Sequence, residues 1–164
     1  MCAGDDEQWM RKAIEVARSK GSDPASSPIG CVIVLDGKII AAERNQTYKL
    51  PDATAYAEMM AIRRACESIG KLELRGATLY STLQPCGMCT MASIWLKVRR
   101  VVNDAGRDDV HRMYFEAKHV DTLGFTTDAY RDDIEIDGGC LADKCAALYY
   151  PPDADLPVGE QAKL

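Results

Sequence analysis

The sequence predicts an α/β fold in which a mixed β-sheet is covered by helices. Asp36-Gly37 separates two apolar segments, and this dipeptide is a strong signal for a two-residue hairpin between antiparallel strands. Between residues 77 and 103, strand-like and helix-like segments alternate. Strands joined by a crossover helix run parallel, so the sheet should contain both kinds of pairing.

The first helix and the hairpin follow from local pattern. Asp5 or Asp6 can cap a helix whose apolar stripe, at helical spacing, runs to about Ser19. A loop rich in Ser, Pro and Gly separates it from residues 29–35, a continuous apolar run with many β-branched side chains. Residues 38–44 return as the partner strand.

The central part of the chain supplies two more helices and two more strands. Residues 54–68 have alanines and methionines on one face and charges on the other, and Gly70 is a natural helix stop. Residues 77–82 read as a third strand, 87–97 as a helix and 100–103 as a fourth strand.

The signal weakens after residue 106. A short helix over residues 109–117, a strand over 133–136 and a last helix over 139–149 complete the prediction. The acidic, Pro-containing segment 151–164 is predicted to be a tail. With 164 residues, the chain is expected to form a single domain, with its core at about residues 5–150.

Charge and composition narrow the classes of function. The net charge of −5 disfavours a long polyanion, and the basic clusters at residues 63–64 and 97–100 are too short to follow a phosphate backbone. We therefore expect a small-molecule substrate and no nucleic acid. The acidic start and the lack of a long apolar run predict a cytoplasmic protein without a membrane span.

Seven cysteines without a secretory signal indicate free thiols and a metal site rather than a disulfide framework. Four of them are interpreted as core thiols: Cys31, Cys66, Cys140 and Cys145.

Cys86 and Cys89 have the spacing of metal ligands. Pro85 favours a turn from strand to helix, so Cys86 should begin the helix and Cys89 should follow one turn later on the same face. A helix N-terminus lowers thiol pKa and so favours the thiolates that zinc requires. A structural zinc, a redox pair and two buried thiols remain alternatives at this point, and the redox pair has the least support.

Glu58 on the preceding helix adds a second motif. Residues 52–63 and 82–89 together resemble the cytidine deaminase superfamily, whose signature is H-x-E followed by P-C-x-x-C. The resemblance covers roughly residues 5–105. It implies a three-layer α-β-α fold with a mixed five-stranded sheet, and a zinc-dependent hydrolytic deaminase. It also implies that Cys86 and Cys89 bind zinc, that Glu58 carries protons, and that Asn45 hydrogen-bonds the base.

Within this superfamily the chain is most similar to the branch of cytosine, guanine and tRNA adenosine deaminases. Trp95 has a spacing similar to a base-stacking tryptophan of bacterial guanine deaminases, although packing in a core or dimer interface explains it equally well. The acidic charge disfavours the tRNA branch. The expected substrate is a free nucleobase or related aminoheterocycle of the guanine, cytosine or triazine class, and the family resemblance implies a homodimer.

Tyr56 stands where the motif has its zinc-binding histidine. A phenol, with a pKa of about 10, must lose its proton to bind zinc well, whereas imidazole is ready at neutral pH. Tyr56 is either a lesion, a tyrosinate ligand, or replaced as third ligand by His111 or His119. The alternative function is a catalytically silent, deaminase-like binding protein or a noncatalytic subunit.

Overall fold

The fold is built on one five-stranded sheet. A computed structural model of the protein describes residues 4–115, 122–127 and 133–161. The strands are β1 (Gly30–Leu35), β2 (Lys38–Arg44), β3 (Thr78–Leu83), β4 (Arg100–Ala105) and β5 (Glu135–Gly138). The helices of these residues are α1 (Asp6–Arg18), α2 (Ala57–Ile69), α3 (Gly87–Leu96), α4 (Thr122–Thr127), α5 (Ala142–Ala146) and α6 (Val158–Gln161).

The sheet is mixed, as predicted. Its strand order is β2-β1-β3-β4-β5, with β1 antiparallel to both of its neighbours and with β3, β4 and β5 parallel. The crossover through α3 makes β3 and β4 parallel. The hairpin between β1 and β2 turns through Asp36 and Gly37, which both have positive φ, 51° and 70°. That geometry matches the twist of the two strands.

Helices cover both faces of the sheet, which confirms the predicted α/β architecture. Gly30 faces α1 so closely that a Cβ there would lie 2.0 Å from the carbonyl oxygen of Ala13. The next residue, Cys31, points to the other face because side chains alternate along a strand, and it senses the charge of Glu58 on α2. The α1 and α2 helices therefore lie on opposite faces of β1.

The C-terminal part differs from the sequence prediction. The helix predicted over residues 109–117 is wrong, because the described residues there form two separate 3-10 turns, Arg107–Asp109 and Arg112–Tyr114. The fifth strand begins two residues later than predicted, at Glu135. The last helix is shorter than predicted and covers only Ala142–Ala146.

Asp104 explains the late start of that last helix. This buried carboxylate, near the end of β4, accepts hydrogen bonds from the backbone N–H groups of Gly139, Cys140 and Leu141 at 3.1, 3.1 and 2.5 Å. Those three residues therefore form an anion-binding turn instead of a helical one.

Of the six cysteines that the structure describes, five are free thiols and one is disulfide-bonded. Cys31 and Cys145 are buried thiols and Cys66 is a half-buried one. Cys140 is disulfide-bonded, so its interpretation as a core thiol is wrong. Within the ranges that the structure describes, no helix is long and apolar enough to cross a membrane.

Candidate active site

The α2 and α3 helices both begin at the candidate site, and their N-cap residues have similar backbone angles. Tyr56 is the N-cap residue of α2 and Cys86 is the N-cap residue of α3, and both have extended backbone angles. The two helices pack against each other. A helix N-terminus carries a partial positive charge, so both starts favour anionic side chains.

Glu58, in the first turn of α2, is buried, with 3% of its surface exposed. Ser81 on β3 donates a hydrogen bond from Oγ to Glu58 Oε1 at 2.8 Å, and Cys89 Sγ lies 3.6 Å from Glu58 Oε2. Burial raises the pKa of Glu58, and the hydrogen bonds that its carboxylate accepts offset part of this rise. A carboxyl group with a raised pKa is suited to general acid–base chemistry near neutral pH.

Cys86 and Cys89 form a close pair of thiols beside this carboxylate. Their sulfurs lie 3.6 Å apart, with Cys89 buried and Cys86 half-buried. Contact with Cys89 lowers the pKa of Cys86 to about 7, while contact with Cys86 and burial raise the pKa of Cys89. One thiolate therefore forms easily and is stabilised by the neighbouring thiol.

The geometry of the two sulfurs fits zinc. Two Zn–S bonds of about 2.3 Å in a tetrahedral site place their sulfurs about 3.8 Å apart, close to the 3.6 Å found between Cys86 and Cys89. The third donor is unusual. The described residues contain no group of three or more His, Cys, Asp and Glu side chains placed to hold a metal ion.

Neither histidine replaces Tyr56 in the described structure. His111 is buried, and its Nδ1 accepts a hydrogen bond from the backbone N–H of Met113 at 3.0 Å. It does not join Cys86 and Cys89 in a metal-binding group. His119 lies outside the described residues. Tyr56, half-buried, is the side chain found two residues before Glu58.

Asn45 lies next to the start of α2, whereas Trp95 lies further away. The backbone N–H of Gln46 donates to the carbonyl of Ala55 at 2.9 Å, which places Asn45 beside the residue before Tyr56. Asn45 is buried, and its Nδ2 donates to the Ser27 carbonyl at 3.3 Å.

Trp95 follows Cys89 by six residues on α3, about 9 Å further along the helix axis. Its side chain is 73% exposed, which rules out core packing.

Sequence reasoning missed Ser81, and it interpreted Cys31 as a core thiol without placing it next to Glu58. These two residues are paired in register between β1 and β3, and both lie beside Glu58. The strand Thr78–Leu83 also contains two threonines, so no local signal singled out Ser81, although a buried hydroxyl needs a partner.

The comparison with known families decides the classification. The sequence model described as "Cytidine and deoxycytidylate deaminase zinc-binding region" matches residues 3–104. The chain belongs to this family. Zinc is the cofactor of the region that matches, and the two cysteines and the glutamate of the family motif are Cys86, Cys89 and Glu58.

Two kinds of deaminase are among the relatives of this chain. A tRNA-specific adenosine deaminase of Agrobacterium fabrum is 47% identical over 93 residues, 57% of this chain and 60% of that protein. The guanine deaminase of Bacillus subtilis is 34% identical over 110 residues, 67% of this chain and 70% of that protein. The match to the Agrobacterium protein thus spans less than two thirds of its length.

Several solved structures are also similar to this chain. A tRNA:A34 deaminase structure has a TM-score of 0.70 at 33% identity and covers 86% of this chain and 98% of its own. A variant of the protein NE0047 in complex with 8-azaguanine has a TM-score of 0.74 at 25% identity and covers 87% and 81%.

These relatives correct one prediction. We expected no nucleic-acid partner because the chain is acidic, but several of the similar proteins are tRNA-specific adenosine deaminases. Net charge is an average over the whole surface, and a local group of cations can bind phosphate on an acidic protein.

Proposed function

We propose that this chain is a hydrolytic deaminase that replaces the exocyclic amine of a nucleobase with oxygen. The reaction consumes one water and releases one ammonia. The observation that carries the proposal is the buried Glu58 carboxyl, in contact with Cys89 of the thiol pair and with the Ser81 hydroxyl. Burying a carboxyl group costs folding free energy, so a carboxyl group kept at this position indicates a functional role.

In this proposal Cys86, Cys89 and Tyr56 would hold the zinc ion. Bound there, zinc supplies a Lewis acid that makes a water molecule nucleophilic at neutral pH. Glu58 would carry both protons of a water molecule in turn, the first to the ring nitrogen and the second to the leaving amine. Its raised pKa suits both the uptake and the release. Ser81 orients the carboxyl by its hydrogen bond to Oε1.

Asn45 is proposed to hydrogen-bond the base, since it lies beside the start of α2. The stacking role of Trp95 stays a prediction, and its exposed ring is open to a planar base or to a second copy of the chain. The relatives support two kinds of substrate, adenosine in tRNA and free guanine. The exocyclic amine of a base is common to both.

Ammonia release from the zinc-loaded protein tests the proposal. The substrates are guanine, adenine, cytosine, an aminotriazine and an RNA stem-loop with an unpaired adenosine. Turnover of at least one is expected, and Glu58→Gln should lower kcat by about 10²- to 10⁴-fold, the usual contribution of general acid–base catalysis. Full zinc occupancy without turnover of any of them would overturn the proposal.

Tyr56 favours a second candidate, a deaminase-like protein that binds a base without converting it. A phenol is a poor zinc ligand at neutral pH, so the site can lack metal while its pocket remains. Binding of guanine or adenosine without ammonia release, both in the native protein and in the Tyr56→His variant, is the result expected for this candidate.

A further inference from the structure

A cavity beside Asn45 is lined by several cationic side chains. Its volume is about 610 Å³, within the range of small-molecule sites. It lies between the C-terminal end of α1, the end of β2 and the loop that follows β2. Three cationic side chains line it, Lys20, Arg44 and Lys49.

These cations are not neutralised by the residues that the structure describes. None of the three forms an ion pair in the part of the chain that the structure describes. Glu43 also lines the cavity, but its Oε1 pairs with Arg64 Nε at 3.2 Å and its Oε2 accepts a hydrogen bond from Gln46 at 3.2 Å. The cavity is therefore cationic on a chain whose net charge is −5.

Arg44 is the cation of this group that has an unsatisfied hydrogen-bond donor among the described residues. Its Nη1 is enclosed and has no hydrogen-bond partner among the described residues. Desolvation lowers the pKa of its guanidinium, so burial disfavours its charge. Guanidinium groups bind the oxygens of phosphate and carboxylate groups especially well.

Asn45 and Gln46 connect the cavity to the segment that leads into α2. Asn45 lines the cavity, and the backbone of the next residue, Gln46, is bonded to Ala55, just before Tyr56. Tyr48, 63% exposed, adds an aromatic face to the lining. A ligand that places a base near Glu58 thus has a cationic space next to it for a phosphate.

We propose that the cavity formed by Lys20, Arg44 and Lys49 binds a phosphate group of a nucleotide whose base lies at the Glu58 site. The phosphate comes either from a free nucleotide or from an RNA strand. This inference rests on the proposed function, because that function puts a base at Glu58. The phosphate site itself is measured by binding, without turnover.

Affinity measurements with three small ligands test the phosphate site. Inorganic phosphate, AMP and adenosine are titrated into the zinc-loaded protein by calorimetry at low salt. AMP should bind roughly tenfold more tightly than adenosine, since charge-assisted hydrogen bonds to phosphate add at least about 1.4 kcal/mol. In the double variant Lys20→Ala/Lys49→Ala, the affinity ratio of AMP to adenosine should fall towards one.

Lys38→Ala provides the matched control. Lys38 is an exposed cation on the same strand as Arg44, six residues and about 20 Å away, and it does not line the cavity. This variant should keep the AMP to adenosine ratio of the native protein. Arg44→Gln should lower the ratio as the lysine changes do, and the two surface lysines keep the test valid if this strand variant folds poorly.

A short single-stranded RNA distinguishes the two sources of phosphate. If RNA is the source, log K against log salt should lose a slope of about 0.7 for each phosphate contact removed in the double variant. If a free nucleotide is the source, the double variant should weaken the binding of AMP and leave the affinity for RNA unchanged. Equal affinities for AMP and adenosine, together with an RNA affinity that neither variant changes, would overturn the inference. Absence of ammonia release would overturn the proposed function but not this one.

Discussion

Two residues of α2 set the chemistry of the site, and they differ in how well they suit it. Glu58 is buried, is oriented by Ser81 and contacts the thiol pair, which are the requirements of a proton carrier. Tyr56, at the N-cap of the same helix, brings a phenol where the family motif has imidazole. Activity therefore depends on whether this phenol serves as a zinc ligand, and zinc binding measures that directly.

Replacing Tyr56 should change zinc affinity in a way that depends on pH. The pKa of a phenol lies about three units above pH 7, so a tyrosine must be deprotonated at a cost before it binds zinc, whereas most imidazole is already neutral at this pH. Tyr56→His should therefore bind zinc about 10²- to 10³-fold more tightly at pH 7. The advantage should shrink by pH 9. Competition with a chromophoric chelator gives both affinities.

Tyr56→Phe is the control for this measurement, because it removes only the phenol oxygen. If Tyr56 is a ligand, the Phe variant should bind zinc more weakly than the native protein at every pH. Equal affinity of the Tyr and Phe proteins would show that the phenol oxygen does not bind the metal.

In the absence of metal, the Glu58→Gln variant should become more stable than the native protein as pH rises. Burial raises the folded-state pKa of Glu58 above its unfolded value of about 4.3, so the folded state holds the proton more tightly. The stability from this proton is complete below pH 4.3 and is lost as pH rises through the folded pKa. With a metal chelator present, the denaturant midpoints of the native protein and the variant should therefore be similar at pH 4. At pH 8 the midpoint of the variant should be higher.

Glu67→Gln is the matched variant for that experiment, since Glu67 lies on the same helix with its side chain 78% exposed. Its stability should follow that of the native protein at both pH values. A native protein whose stability relative to Glu58→Gln does not change with pH would contradict the raised pKa.

At the scale of elements, the site depends on helix starts and on one buried carboxylate that holds the C-terminal segment. Tyr56 and Cys86 are the N-caps of α2 and α3, so the starts of these helices carry the proposed zinc ligands and Glu58. Asp104, near the end of β4, fixes the turn before α5 through three backbone hydrogen bonds. Loss of this carboxylate would leave three backbone N–H groups without their acceptor, and the N–H of Leu141 is in a buried residue.

Asp104→Ala should therefore lower the free energy of unfolding by about 3 kcal/mol, the upper range for hydrogen bonds to a charged group. Urea unfolding of the metal-free protein measures it. Asp108→Ala, in which the fully exposed Asp108 lies 3.8 Å from Arg107, should change stability by less than about 0.5 kcal/mol. Equal effects of the two changes would contradict the anchoring role of Asp104.

At the scale of the whole molecule, the exposed face of α3 bears on assembly. Trp95 is 73% exposed and Met91 is 37% exposed on this helix. The family resemblance predicts a homodimer, and an exposed tryptophan is the kind of side chain that anchors an interface.

Sedimentation equilibrium should show a dimer at micromolar concentration, with Trp95→Asp weakening association by at least about 30-fold, the effect of losing 2 kcal/mol at a hot spot. Lys12→Asp, on the exposed surface of α1, is the comparison and should leave the dimer intact. A native protein that stays monomeric would contradict the prediction.

The sequence determined the parts of this protein that depend on local pattern. The hairpin at Asp36-Gly37, the start of α3 at the Cys86 motif and the parallel pairing of β3 with β4 were all predictable, because turn chemistry and a crossover helix are properties of neighbouring residues. The deaminase family was also readable from two short motifs.

Only the tertiary structure decided the contacts between distant residues. Asp6 looked like a helix cap, but it is buried and binds Tyr80 and Arg100 at 2.7–2.9 Å. Ser81 became the partner of Glu58 because β3 and α2 lie side by side. The physical reason is the same in both cases: burial obliges each polar group to find a partner, and the fold, not the neighbouring sequence, determines which group lies within reach.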